Sequence, residues 1–292
     1  MNNKKAFSLH FVCLISVFLL GNLIITMHGF SIFTALALPI GCLLLFFPIS
    51  FLTKKAKSAN CFFRYFVCII FISFSLFIAA NCAKDFILFA KAQILPECHK
   101  WLLSLVFSVV LYAFIKLSNR AALKFALLSF FAISFILTLF FVLSLKGFQA
   151  ENPMQIKADA VSVIKVILPL SVPIVYLISS GFPVRPAKVF SGAVLGAGLL
   201  TIAFLNAALI FGRNAIADMH FPYADAVSTV SVGSLFTRMD GFAYFIFFFC
   251  TCLKSGISIK CARTLFEKSE FRHINIFDFS AALFVFFFCL NK

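Results

Sequence analysis

The feature that most constrains this chain is the series of long apolar runs that fills it from end to end. About 20 apolar residues form a helix that crosses the hydrocarbon core of a bilayer, and runs of that order recur along the chain. Hydrophobic residues make up 63% of the 292 residues and charged residues only 12%. A soluble domain cannot bury that much apolar surface in one core. We therefore predict an all-α membrane protein, a polytopic helical bundle, because lipid-exposed helices satisfy their own backbone hydrogen bonds.

Nine runs are long enough, or nearly so, to cross the membrane. They are Ser8–Met27, Phe30–Leu52, Cys61–Ala80, Trp101–Leu117, Leu123–Leu145, Val161–Gly181, Val189–Phe211, Gly241–Ile259 and Ile276–Leu290. The fourth and ninth are short, so their ends are the least defined. None of the runs alternates apolar with polar residues, as the strands of a porin-type barrel would. The chain, residues 1–292, is predicted to be a single integral membrane domain of about nine spans.

The positions of the basic residues predict the orientation of these spans. If the N-terminus is cytoplasmic, fifteen Lys and Arg residues fall in inside segments and nine in outside segments, with Lys254 inside the eighth run. Cytoplasmic loops of membrane proteins are enriched in Lys and Arg. The net charge of +15 is therefore a topology signal. It does not form the single basic patch that a nucleic-acid partner would need. We expect a multi-pass protein of the cell membrane with a cytoplasmic N-terminus.

The sequence carries no pattern typical of a metal site, a cofactor site or a catalytic site. The ten cysteines show no CxxC motif and no Cys/His ligand spacing, and most of them lie in or beside the apolar runs. A thiol there behaves as a small hydrophobic group. No HExxH motif, paired acid or Ser/Lys constellation occurs within the runs, so a membrane-embedded enzyme is not expected.

Two places interrupt the helical pattern, in the first run and in the sixth. Gly21-Asn22 interrupts the first run, either as a helix break or as a close contact with a neighbouring helix. Pro169-Leu170-Ser171-Val172-Pro173 interrupts the sixth, where two prolines remove backbone donors and produce either a kink or an unwound segment. Transporters build substrate sites where such breaks meet. The predicted ligand site is lined by Gly21, Asn22, Pro169, Leu170, Ser171 and Val172.

Charged and small residues within the runs give further predictions. Lys254 either faces an internal cavity or extends toward the inner surface, and an intramembrane charge is a functional candidate. Asp278 is expected to stay hydrated near the inner mouth of the ninth run. Asp85 is placed in the outer loop after the third run, and Lys260 in the inner loop after the eighth. The Gly192-x-x-x-Gly196 pair in the seventh run predicts a helix-packing face.

The segment Phe211–Asp240 is the longest outside loop that follows a span. Its apolar residues from Ala226 to Phe236 recur at roughly helical spacing. This pattern predicts an amphipathic helix lying on the membrane surface, which ends at Gly233 or continues into Arg238-Met239-Asp240.

This loop resembles a stretch found in one family of membrane proteins. Phe221-Pro222-Tyr223-Ala224-Asp225 is followed by Ser231-Val232-Gly233-Ser234-Leu235-Phe236-Thr237-Arg238-Met239-Asp240. Pro222, Gly233, Arg238 and Asp240 match the aromatic-Pro…I-G-x-F-x-x-R-x-[DE] pattern of the spore germination permeases, the B-type subunits of endospore germinant receptors. In that family the next span often carries a lysine, which Lys254 matches.

The resemblance implies a transporter-like fold of the amino acid–polyamine–organocation type with two inverted five-helix repeats. The first repeat covers about residues 6–145 and the second about 157–290, which is incomplete because family members have ten spans and the tenth is absent here. It also implies a subunit in the spore inner membrane that senses an amino acid or nucleoside germinant together with A-type and C-type subunits. The alternative is a free-standing amino-acid transporter of the same fold.

Overall fold

The computed structural model describes residues 2–21, 32–58, 61–145, 164, 167–211, 219, 221–229, 240–269 and 274–291. Every regular element in these residues is helical and none is a strand, so the all-α prediction is confirmed for them. The helices are α1 (Asn2–Leu20), α2 (Ile32–Ser58), α3 (Cys61–Phe89), α4 (Lys100–Lys116), α5 (Asn119–Ser144), α6 (Ser171–Ser179), α7 (Pro186–Phe211), α8 (Pro222–Thr229), α9 (Asp240–Lys268) and α10 (Ile274–Leu290). A π-helical segment, Ala90–Ile94, extends α3, and a 3-10 segment, Leu168–Leu170, leads into α6.

Five helical stretches are long and apolar enough to cross a membrane. They are Thr34–Thr53, Phe62–Ile94, Asn119–Ser144, Pro186–Phe211 and Gly241–Lys268. The other four predicted runs also contain a described helix, and three apolar helices there, Leu9–Leu20, Leu168–Ser179 and Ile274–Leu290, are shorter. These helices indicate a helical membrane protein, while the count of nine crossings stays a prediction.

Helix α9 lies at the centre of the bundle. All residues from 251 to 262 are buried, and α9 packs against α3, α4 and α6. A helix that is buried all round needs an apolar neighbour on every face. Helices α3 and α9 run antiparallel. The rings of Phe89 and Phe247 are 4.6 Å apart, and the Ser255 hydroxyl donates to the carbonyl of Ala79 at 3.2 Å, so the later residue of α3 meets the earlier residue of α9. Any polar side chain in the middle of α9 therefore lies inside the protein.

Helix α1 packs closely against α7 at the two predicted glycines. A Cβ atom added at Gly192 would lie 2.9 Å from Cβ of Ile15, and one added at Gly196 would lie 2.8 Å from Cδ1 of Leu19. The Ser16 hydroxyl also donates to the carbonyl of Gly192 at 2.8 Å. Small residues permit such backbone approach between membrane helices. The prediction of a packing face is confirmed, and the order of the contacts shows that α1 and α7 run parallel.

The end of the bundle where α4 and α9 end differs from the prediction. Asp278 is fully buried, and its Oδ2 atom accepts from Lys116 Nζ at 2.8 Å and lies 3.5 Å from Nη1 of Arg263. The expectation of a hydrated carboxylate was wrong because α10 packs against α4, which supplies Lys116 as the partner. Lys260 is not in a loop either, since α9 continues to Lys268 and leaves Lys260 only 2% exposed.

The described part of the predicted surface helix, α8, is more deeply packed than expected. Helix α8 ends at Thr229, and residues 230–239 lie outside the described residues. Tyr223 is 1% exposed, with its ring 6.0 Å from that of Phe247 on α9. For residues 222–229 the prediction of a helix lying on the surface was wrong, because the apolar face of α8 packs against α7 and α9.

Candidate functional site

Helix α1 ends inside the bundle, at the first predicted break. Gly21 is buried, and its N–H donates to the carbonyl of Val17 at 3.0 Å in the last turn. A Cβ atom added at Gly21 would lie 2.8 Å from Cδ of Lys254 and 3.3 Å from the carbonyl oxygen of Cys250. Real Cβ atoms keep a larger separation, so this approach of α1 to α9 needs a glycine. The last carbonyl groups of α1 lack partners within the helix, as at any helix C-terminus.

Lys254 occupies the middle of α9 and points into the protein. Its side chain is 5% exposed, its stem lies against Gly21, and its Nζ atom is 5.9 Å from the centroid of the Phe18 ring. A side chain that extended to the membrane surface would be wet at its tip. The structure therefore supports the internal alternative for Lys254. A buried ammonium is costly unless nearby groups stabilise its charge.

Asp85 of α3 provides an opposite charge near Lys254. The charges of Lys254 and Lys84 both act on the Asp85 carboxyl, which is half-buried. The prediction of an outer loop at this position was wrong, because α3 continues to Phe89 and carries Asp85 within it. Electrostatic attraction is stronger inside a protein than in water. Asp85 therefore lies close enough to Lys254 for the two charges to interact.

The break in the sixth run is a change of helix type. The 3-10 segment Leu168–Leu170 has Pro169 in its first turn, and Leu170 keeps helical angles, φ −64° and ψ −16°. Ser171 begins α6, and its hydroxyl donates to the carbonyl of Leu168 at 2.8 Å. Pro173 lies in the first turn of α6, where a missing N–H is tolerated. Between residues 167 and 179 the predicted unwound segment is therefore absent.

The first and sixth runs meet, as the ligand-site prediction requires. Helix α1 contacts both the 3-10 segment and α6. Leu170, Ser171 and Val172 are all buried there. Asn22 lies outside the described residues, so its predicted place beside Ser171 stays a prediction. The Ser171 hydroxyl hydrogen already serves a backbone carbonyl, which leaves its oxygen as an acceptor.

Three buried polar side chains, one each on α7, α8 and α9, were not found from the sequence. Asn206 of α7, Tyr223 of α8 and Thr251 of α9 are each no more than 1% exposed. Both amide atoms of Asn206 and the two hydroxyl groups have no hydrogen-bond partner among the described residues. Such groups need an explanation, because buried polar atoms are nearly always paired. An amide inside an apolar run, as at Asn206, was the available signal in the sequence.

The four residues that match the family pattern fall in different settings. Pro222 is buried as the first residue of α8, a position that tolerates proline because the N–H there has no helical partner. Asp240 is the first residue of α9. Gly233 and Arg238 lie outside the described residues, so the central part of the pattern has no structural description.

Polar contacts join the π-helical extension of α3 to α8 and α9. Tyr244 donates from its hydroxyl to the carbonyl of Gln93 at 3.2 Å, and the Gln93 amide donates to Oδ1 of Asp225 at 3.4 Å. Partial burial raises the pKa of the Asp225 carboxyl above its usual range. Gln93 belongs to the π-helical segment, an irregularity that often occurs at functional sites. These contacts tie α8 and α9 to the π-helical extension of α3.

Comparison with known proteins adds no family assignment. No protein-family model matches the chain, and no curated protein sequence matches it. Within the described residues, no three His, Cys, Asp or Glu side chains are grouped as a metal site would require.

Proposed function

We propose that this chain is the permease-like subunit of a spore germinant receptor and binds a small nutrient germinant, an amino acid or a nucleoside, inside the membrane. One observation carries the proposal: α1 ends at Gly21 in the middle of the bundle, directly against Lys254 of the buried helix α9. Transporter-like proteins bind small molecules where a spanning helix is interrupted beside charged or polar groups.

The groups at the end of α1 have the chemistry that a zwitterionic amino acid needs. Carbonyl groups at a helix C-terminus carry partial negative charge and accept from an ammonium group. The Asp85 carboxyl would add negative charge to that of the carbonyl groups. The Lys254 ammonium would bind the carboxylate of the amino acid. The unpartnered Asn206, Tyr223 and Thr251 groups are available for the rest of the ligand. A nucleoside would bind through the Asn206, Tyr223 and Thr251 groups and would need no charged partner.

The proposal includes a specific topology. The N-terminus is cytoplasmic, the chain crosses nine times, and residues 6–145 and 157–290 form two inverted repeats. The charge distribution supports this arrangement. The helix directions agree with it too, because α1 and α7, assigned to odd-numbered crossings, run parallel, while α3 and α9, assigned to crossings three and eight, run antiparallel.

The proposed partners and location follow from the resemblance to the germination permeases. The chain would act with an A-type subunit and a lipoprotein C-type subunit in the spore inner membrane. Genes for both should lie beside its own gene. Deletion of the gene should abolish germination in response to one nutrient and leave the response to others intact. Normal germination of the deletion strain on every nutrient tested would contradict the proposal.

A free-standing amino-acid transporter is the second candidate. The Lys254 and Asp85 charges inside the bundle favour it, because charged groups within transporters can carry protons during transport. The two candidates differ in what the isolated chain does. Proteoliposomes that contain only this protein should accumulate labelled amino acids if it is a transporter, and should not if it is a receptor subunit that needs its partners.

A further inference from the structure

A polar pocket lies at the charged end of the bundle, which we define by Lys116, Lys260 and Arg263. It has a volume of about 270 Å³ and is open on one side. Its walls come from the end of α4, the start of α5 and the last turns of α9. The lining residues are Lys116, Leu117, Ser118, Asn119, Lys260, Arg263, Thr264 and Glu267. No part of this pocket belongs to the site at the end of α1.

The cations around the pocket outnumber the carboxylates that pair with them. Lys116 pairs with Asp278 at 2.8 Å, and Arg263 pairs with Glu267 at 2.8 Å. The Lys260 ammonium donates to the carbonyls of Ile115 and Leu117, the first at 3.2 Å, and no carboxylate within 4 Å of it is described. Three cations thus face two carboxylates, and none of the ion pairs found among the described residues includes Lys260. A bound anion would stabilise the buried Lys260 ammonium.

The start of α5 adds hydrogen-bond donors to the same wall. The Ser118 side chain caps α5 by accepting from the N–H of Ala121 at 3.1 Å. The side-chain oxygen of Asn119 accepts from the Tyr176 hydroxyl at 3.1 Å, which leaves its NH2 group as a donor. A helix N-terminus carries partial positive charge and favours anions. The lysine and the helix end therefore act on the same space.

We propose that this pocket binds a phosphate group, with the Lys260 ammonium as its main charged contact. Its volume is slightly below the range of about 300–1,000 Å³ that holds drug-sized ligands, so it suits a phosphate or a lipid headgroup better than a larger molecule. Glu267 lies on the rim, where its charge weakens the attraction for an anion. The phosphate comes either from a phospholipid or from solution, and basic pockets between membrane helices can take the former.

The test measures equilibrium binding to the purified full-length protein in a neutral detergent. The probes are inorganic phosphate and dioctanoyl phosphatidic acid, with dioctanoylglycerol as the lipid that lacks phosphate. Lys260→Gln should weaken phosphate binding at least about fivefold, because one lysine near an anionic headgroup contributes that much. Glu267→Gln should tighten it. The control, Lys124→Gln, removes an exposed charge of α5 that does not line the pocket and should change nothing.

Each outcome decides the question. Saturable binding of phosphatidic acid but not of inorganic phosphate identifies a membrane lipid as the source, and similar binding of both identifies a soluble phosphate. If neither probe binds better than dioctanoylglycerol, the proposal is overturned. The proposal is also overturned if Glu267→Gln binds phosphate no more tightly than the unmodified protein does. This second variant tests the proposal even if Lys260→Gln fails to fold.

Discussion

Substitution of Gly21 should impair the ligand response without removing the protein from the membrane. An alanine Cβ there would lie 2.8 Å from Cδ and 3.0 Å from Cβ of Lys254. Ordinary carbon–carbon contacts are about 3.5–4.0 Å, so the separation must increase by about 0.5–1.2 Å. The Lys254 stem can rotate away from its Cδ contact. Its Cβ atom moves only with α9, so α1 and α9 must separate.

The size of the effect follows from the cost of overpacking. Extra atoms in a well-packed interior cost about 1–3 kcal/mol. If the displaced groups form the ligand site, Gly21→Ala should raise the half-maximal germinant concentration by about 5–150-fold, the ratio that corresponds to this energy. Gly21→Leu adds three further carbon atoms beside Lys254 and should abolish the response.

The assay compares spores that carry each variant as the only copy of the gene. Germination is followed over a range of nutrient concentrations, and the amount of protein in the membrane is measured by immunoblotting. The matched control is Gly198→Leu on α7, since a Cβ at Gly198 would meet no atom within 4 Å. Gly198→Leu should respond normally. If Gly21→Leu responds with an unchanged half-maximal concentration, Gly21 does not border the site and the assignment fails.

Three further predictions use other parts of the structure. A double-mutant cycle on Lys116→Met and Asp278→Asn should give a favourable coupling in unfolding experiments, since the carboxylate is buried although the lysine is 35% exposed; a coupling near zero would mean that the pair is not formed. Tyr223→Phe should reduce the nutrient response without lowering the amount of protein, because its buried hydroxyl has no described partner; an unchanged response would exclude the hydroxyl from the site. A reporter active only in the cytoplasm should be active when fused at Lys57 and silent when fused at Lys292; activity at both would mean that one predicted span does not cross.

Local patterns in the sequence predicted the helices and some of their packing. Long apolar runs predict helices because each run can satisfy its backbone only within itself. The spacing of Gly192 and Gly196 places both on one face of α7, so the contact with α1 could be inferred without knowing the partner helix. These are properties of single segments.

Features that depend on contacts between distant segments could not be predicted. Asp278 lies 162 residues from Lys116, so nothing near it in the sequence indicates that a partner would bury it. The two prolines of the sixth run predicted either a kink or an unwound segment. The 3-10 geometry and the Ser171 hydroxyl together accommodate Pro169, and this arrangement is visible only in the structure. Asn206, Tyr223 and Thr251 come from three helices, and their shared lack of partners is a property of the folded chain.

The central claim is that this chain senses a germinant through the groups at the end of α1. The most direct test measures germination of spores from a deletion strain on a panel of single amino acids and nucleosides, with the gene restored as unmodified protein or as Lys254→Met. The deletion strain should lose its response to at least one nutrient. The unmodified gene should restore that response, and Lys254→Met should not restore it despite equal protein in the membrane. Full restoration by Lys254→Met would contradict the proposed site, and normal germination of the deletion strain on every nutrient would contradict the proposed function.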